Sequence, residues 1–256
     1  MVEALFWPAL LAYGEAALAY SSPRTARAAT WGVRVGWLAQ TALLVVQAAR
    51  ADGFPWSSWA GSLNLFVWLV VAAYLIWGCR PRFRLLGLAV MPLAAALFLV
   101  ARLGGGIRGG SGSAYGNVFL ALHVGLVLAA FAGFTLAAAL SALYLWQERR
   151  LKRREATILR RPAPSLATLD RLALRTVAVS LPALTLGIAV GIARLVSDHK
   201  RVDALVVATL VTWAVWAAYL VLRMRGSAAR RSAYVALAGF VLVIVVRLAL
   251  PAVHFS

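Results

Sequence analysis

The chain has 256 residues, 63% of them hydrophobic and 13% charged, with a mean hydropathy of +0.84. Soluble domains sit nearer half apolar and a quarter charged, so an ordinary globular enzyme, a disordered chain and a disulfide-stapled secreted module are excluded. Against 8 acids stand 26 lysines and arginines, a formal net charge of +18, and the placement of those cations decides between a polyanionic partner and a membrane topology.

A helix needs roughly 20 mostly apolar residues to cross a bilayer core. The chain offers eight such runs: about 3–21, 31–49, 62–78, 83–101, 117–146, 172–196, 204–222 and 233–253. They predict an all-α, polytopic membrane protein built as a single domain over residues 1–256, with no soluble domain. The first run follows Met-Val-Glu with no basic stretch before it, so it is expected to stay in the membrane rather than be cleaved as a signal peptide. It holds Glu15, for which an arginine or a hydroxyl is the expected partner. After the second run, Asp52-Gly53-Phe54-Pro55-Trp56-Ser57-Ser58-Trp59 carries aromatics suited to the membrane–water boundary, in a loop or a short surface helix. Cys79 is the only cysteine, which leaves no disulfide, cysteine-based zinc site or haem-attachment motif within the chain; it reads as a bystander. The connection over 102–117 holds two glycine runs and is too poor in apolar residues to fold alone. The fifth run is the longest and is expected to continue as helix through Gln147-Glu148-Arg149-Arg150, followed by a turn at Arg161-Pro162-Ala163-Pro164-Ser165.

The connections after runs one, three, five and seven hold 17 of the 26 cations, among them Arg24, Arg82, Arg149, Arg223 and Arg230. The alternate connections hold Arg50, Arg102, Arg108, Lys200 and Arg201. The positive-inside rule places the Arg-rich set in the cytoplasm and both termini outside it. Cations scattered over four short connections do not gather into the aromatic-lined basic face that nucleic acid needs, so no nucleic-acid partner is expected and the bilayer takes that place, in a multi-pass cell (plasma or inner) membrane protein.

Ionisable groups in hydrocarbon are costly, which makes the histidines informative. His123 lies about two turns into the fifth run, His254 ends the eighth, and His199 falls between runs six and seven. The topology puts all three on the outer side. A neutral histidine at a span end often does no more than donate a hydrogen bond to a carbonyl. It is also a standard axial ligand for haem iron, and His123 and His254 share a level. Arg247, about two turns below His254, is positioned to pair with a carboxylate, a haem propionate or an acidic side chain. No acid/base pair, nucleophile elbow or phosphate loop is present, so no enzymatic turnover is expected.

Several stretches in order resemble the cytochrome c assembly family, the CcsA/ResC and HemX/YpjD-like group of haem-handling membrane proteins. They are Gly36-Trp37-Leu38-Ala39-Gln40-Thr41; Phe54-Pro55-Trp56-Ser57-Ser58-Trp59-Ala60-Gly61-Ser62-Leu63; Leu122-His123-Val124 leading to Leu145-Trp146-Gln147-Glu148; Pro164 to Arg171; Leu184-Thr185-Leu186-Gly187-Ile188; and Val253-His254-Phe255-Ser256. The resemblance implies that His123 and His254 are outer axial ligands of a b-type haem. Asp203 and Thr212-Trp213 fit the family pattern around its outer tryptophan motif, but 197–204 lacks those tryptophans, and Val221 stands where the family has a histidine within span seven. Those departures are the pattern of the degenerate HemX/YpjD-like branch. The resemblance therefore implies a haem-binding protein acting with a cytochrome c maturation partner, or a HemX-like regulator of haem biosynthesis acting through 147–171. A haem-free transporter or permease subunit is the alternative; it calls for repeated halves, which the sequence lacks, and broken helices, for which Pro92 and Pro182 are candidates.

Overall fold

The computed structural model describes residues 2–22, 24–50, 56, 58–77, 79, 83–106, 117–153, 164–197 and 204–248. These form eight α-helices and no strand: α1 Val2–Ala19, α2 Ala26–Arg50, α3 Trp59–Trp77, α4 Arg84–Leu103, α5 Asn117–Lys152, α6 Leu166–Ser197, α7 Ala204–Met224 and α8 Ala229–Leu248. Helices are what such runs must form, because in hydrocarbon every backbone N–H and C=O has to be paired within its own segment. Six of them, α2 to α7, are long and apolar enough to cross a membrane over their described residues.

Each predicted run is a helix, but several ends move. α2 begins at Ala26 rather than near 31, since Ala26-Arg27-Ala28-Ala29 are strong helix formers and the Ala29 N–H already bonds the Thr25 carbonyl. α6 begins at Leu166 rather than 172, where the Ser165 hydroxyl accepts from the Thr168 N–H. Ser58 does the same for Gly61 at the start of α3. α5 continues to Lys152, as its charged extension predicts. Pro92 and Pro182 lie inside α4 and α6, which run on through them.

The helices pack as two consecutive four-membered rings. α1 lies against α2 and α4, and α3 completes the first ring; α5 lies against α6 and α8, and α7 completes the second. α5 also packs on α3 and α4, so it joins the rings, and most of its length is enclosed. Ion pairs mark the ring ends: Glu3 with Arg102 across α1 and α4, and Asp170 with Arg223 across α6 and α7. Aromatic side chains fill much of the core, with Phe6, Tyr13 and Phe98 meeting in the first ring and Phe134 stacked on Trp216 at 4.3 Å in the second. Outward faces are apolar, including Leu11, Leu18, Leu38, Val179, Leu186, Val207 and Val211. On a multi-pass membrane protein such faces meet lipid. Glu15 lies exposed among them on α1, and among the described residues no arginine or hydroxyl pairs with it, contrary to the expectation from sequence.

Candidate functional site

His123 is carried two turns into α5 and turns its imidazole onto α6. Nδ1 lies 2.7 Å from the Gly187 carbonyl oxygen. A carbonyl can only accept, so Nδ1 carries a proton in this bond, and in a neutral imidazole of that tautomer Nε2 is the nitrogen that bears the lone pair. The bond has the form of the outer-shell contact that orients metal-ligating histidines. The hydrogen bond to a carbonyl and the role of ligand, which stand as alternatives in the sequence, are thus compatible here because they use different nitrogens.

The close approach depends on glycine. A Cβ at Gly191 would stand 2.5 Å from His123 Cε1 and 2.9 Å from Nδ1, and one at Gly187 would stand 2.8 Å from Val127 Cγ2. One helical turn apart, these two residues let α6 approach the imidazole and its own helix closely. Further along the same α5–α6 seam, Gly133 lets Ser180 in as closely.

Trp213 lies half-buried on α7 and donates from Nε1 to Thr185 Oγ1 at 2.9 Å, while that hydroxyl donates to the Leu181 carbonyl. Thr185 is two residues from Gly187, about 200° around the helix. Trp213 and His123 therefore hold opposite faces of α6, and the structure does not bring the two together. α8 runs through Arg247, whose side chain lies outside the described residues, as do His199, Asp203 and His254. Among the described residues no group of three or more potential metal ligands forms. A two-imidazole iron site requires none.

A second polar assembly, in the first ring, is not read as a site from sequence. The Tyr13 hydroxyl donates to Gln40 Oε1 at 2.7 Å, and Gln40 Nε2 donates to Asn64 Oδ1 at 2.9 Å and to its carbonyl at 3.1 Å. Asn64 Nδ2 donates to Gln47 Oε1 at 3.1 Å, and Gln47 Nε2 to the Gly106 carbonyl at 2.9 Å. All four side chains are buried. Gly106 is pinned in turn: its N–H bonds the Ala101 carbonyl, and a Cβ there would stand 2.2 Å from the Ala60 carbonyl oxygen. The available signal was Gln40 and Gln47, two amides seven residues apart on one face of an apolar helix.

Comparison with known proteins now bears on this geometry. The family model described as cytochrome C assembly protein matches residues 56–253. The chain belongs to that family. It is 26% identical to cytochrome c biogenesis protein CcsA of Microcystis aeruginosa, over 91% of this chain and 87% of that one. It is 29% identical to protein HemX of Brevibacillus brevis, over 75% of this chain and 72% of the other. The matched span of this cytochrome c assembly protein takes in α3 to α8, and so includes the α5–α6 seat of His123. It is a multi-pass membrane protein related to cytochrome c biogenesis.

Proposed function

We propose that this protein binds a b-type haem at the end of the second ring opposite its Arg-rich connections, with His123 and His254 as axial ligands and Arg247 meeting a propionate. The observation that carries the reading is the His123 seat. A ring held through Nδ1 by Gly187 and closely met by Gly191 is pre-oriented, and its Nε2 is the nitrogen that would ligate iron. The porphyrin would supply the redox-active iron. This chain's residues would orient and enclose it, with apolar helix faces excluding water. By the charge of its connections the Arg-rich end is cytoplasmic, both termini are outside, and the haem lies toward the outer leaflet of the cell membrane. The protein acts without turnover of its own, in support of a cytochrome c maturation partner.

The test is the optical spectrum of the purified protein in detergent with and without added haem. The expected result is a Soret band with sharp reduced bands that weaken in His123→Ala and in His254→Ala. Uptake no greater than that of an unrelated membrane protein would sink the reading. Loss confined to His199→Ala would overturn the choice of ligands. A reporter fused after Ser256 is expected to be active outside and one within 149–161 inside.

The absence of the outer tryptophans over 197–204, together with Val221, favours a second, HemX-like reading: a regulator of haem biosynthesis acting through 147–171. It requires the level of a haem-biosynthetic enzyme to change when the protein is deleted. A permease subunit, the third reading, is disfavoured by the continuity of α4 and α6 through Pro92 and Pro182.

A further inference from the structure

The Arg-rich end of the second ring holds donors without acceptors. Gln147 on α5 is 4% exposed and Ser232 on α8 is 1% exposed, yet among the described residues Gln147 Nε2 and Ser232 Oγ have no hydrogen-bond partner. Arg223 on α7 gives one terminal nitrogen to Asp170 Oδ2 at 2.5 Å and the other to the Ser227 carbonyl at 3.3 Å, while its Nε is buried and unpartnered. A buried donor left unpaired is destabilising, and a charged arginine N–H more so. Three such groups at one end of one ring call for an acceptor.

Gln147 and Ser232 lie on packed stretches of α5 and α8. Residues beside Gln147 pair with residues beside Ser232: Glu148 with Arg230 at 3.9 Å, and Arg149 with Tyr234 at 3.5 Å. A tight turn, with Gly226 at φ +73° and the Ser227 N–H bonded to the Leu222 carbonyl, brings the end of α7 against the start of α8. Ser232 lies in the first turn of α8, where the helix dipole favours an anion. Glu148 is already bonded to Lys152 at 2.8 Å, so the exposed Arg230 shares a carboxylate rather than owning one and can turn to another anion. Glu148 and Asp170 are the only carboxylates among the described residues of this end, and they face Arg149, Arg150, Lys152, Arg223, Arg230 and Arg231.

We propose that this mouth, between α5, α7 and α8, is a binding site for a phosphate group, supplied by an anionic lipid headgroup. The phosphate oxygens accept from Gln147 Nε2, Ser232 Oγ and Arg223 Nε, and Arg230 closes over them. With this end placed by the positive-inside rule, the adjoining leaflet is the one rich in anionic lipid. A phosphodiester is an acceptor-only anion, which is what three donors and a helix N-terminus require. The buried amides of the first ring differ in that they bond one another.

The full chain in a neutral detergent is titrated with phosphatidylglycerol, phosphatidylcholine or inorganic phosphate, reading Tm and the lipid retained in native mass spectra. At about a hundred times its Kd, phosphatidylglycerol is expected to raise Tm by roughly 5–10 °C. That rise should be lost in Gln147→Leu/Ser232→Ala and cut by more than half in Arg230→Gln. Arg102→Gln, the same loss of charge at the far end of the first ring, should keep it. The double substitution removes donors without creating new orphans and is expected to fold; if it does not, the exposed Arg230→Gln carries the same test. A rise with inorganic phosphate alone keeps the site and makes its source soluble. An equal rise with phosphatidylcholine, or an undiminished rise in the folded variants, overturns the proposal.

Discussion

The amide chain of the first ring and the His123 seat of the second are both polar groups sunk among apolar helices, and they use their hydrogen bonds in opposite ways. Gln40, Asn64 and Gln47 each donate and accept within the ring, and the chain ends on a backbone carbonyl. Nothing in it is offered outward, so it acts as a fastening across α1, α2, α3 and the turn after α4. His123 gives Nδ1 to the Gly187 carbonyl of a neighbouring helix, which fixes the direction of the ring and so of Nε2. A polar group in a membrane interior is costly unless satisfied. A closed chain of amides fastens helices together, whereas a tether on one ring nitrogen orients a side chain that has metal-ligating chemistry.

The sharpest way to break that contrast is at Gly191. Its replacement by valine puts a side chain where Cε1 of His123 lies and should abolish haem-dependent absorbance as completely as His123→Ala, by tenfold or more, in a protein that still folds. Full absorbance in Gly191→Val would mean that the seat does not matter for binding. Next in size is Gly106→Ala, whose Cβ meets a carbonyl oxygen rather than a movable side chain. It should lower stability by about 1–3 kcal/mol, the usual range for overpacking, measured as Tm in detergent, with the haem spectrum unaltered. Asn64→Leu should cost a similar or slightly smaller amount, about 1–2 kcal/mol, because Gln47 Oε1 loses its donor while Gln40 keeps the residue-64 carbonyl. A changed haem spectrum in Asn64→Leu would show that the two regions are coupled. Trp213→Phe removes one hydrogen bond to a hydroxyl that keeps its own acceptor, and about 0.6 kcal/mol is expected, the mean for such bonds in membranes.

The smallest effect concerns Cys79, beside the first ring, where burial pushes the thiol above its ordinary range. A raised pKa means less thiolate at a given pH. Maleimide labelling at pH 7.5 should therefore lag an exposed cysteine severalfold and catch up only as the pH is raised past the usual thiol range. Labelling as fast as an exposed thiol would contradict the burial.

The eight helices were legible because an apolar run of 18 residues or more admits few other structures in a bilayer. Their ends were less so: α6 starts six residues early on the Ser165 cap, a local bond that hydropathy does not register. His123 was legible as a rare ionisable residue in a span. Its tether was not, since Gly187 is 64 positions away and meets it only through the register of α5 on α6. Glu15 shows the converse, a rare ionisable group that its helix turns outward, with no arginine or hydroxyl paired to it among the described residues. The amide chain was illegible for want of the ring order, since Gln40, Asn64 and Gln47 lie on two helices whose contact no periodicity announces.

Composition and charge placement by themselves determined the class of this protein, its helices and the Arg-rich connections that divide the two ends. These are sums over many residues, and the solvation cost of backbone and charge makes them robust to any one contact. Only the tertiary structure decided which polar residues pair with which, and which buried donors among the described residues are left without an acceptor. A hydrogen bond depends on distances of a few tenths of an ångström between helices far apart in the chain, and those distances exist only once the rings have closed.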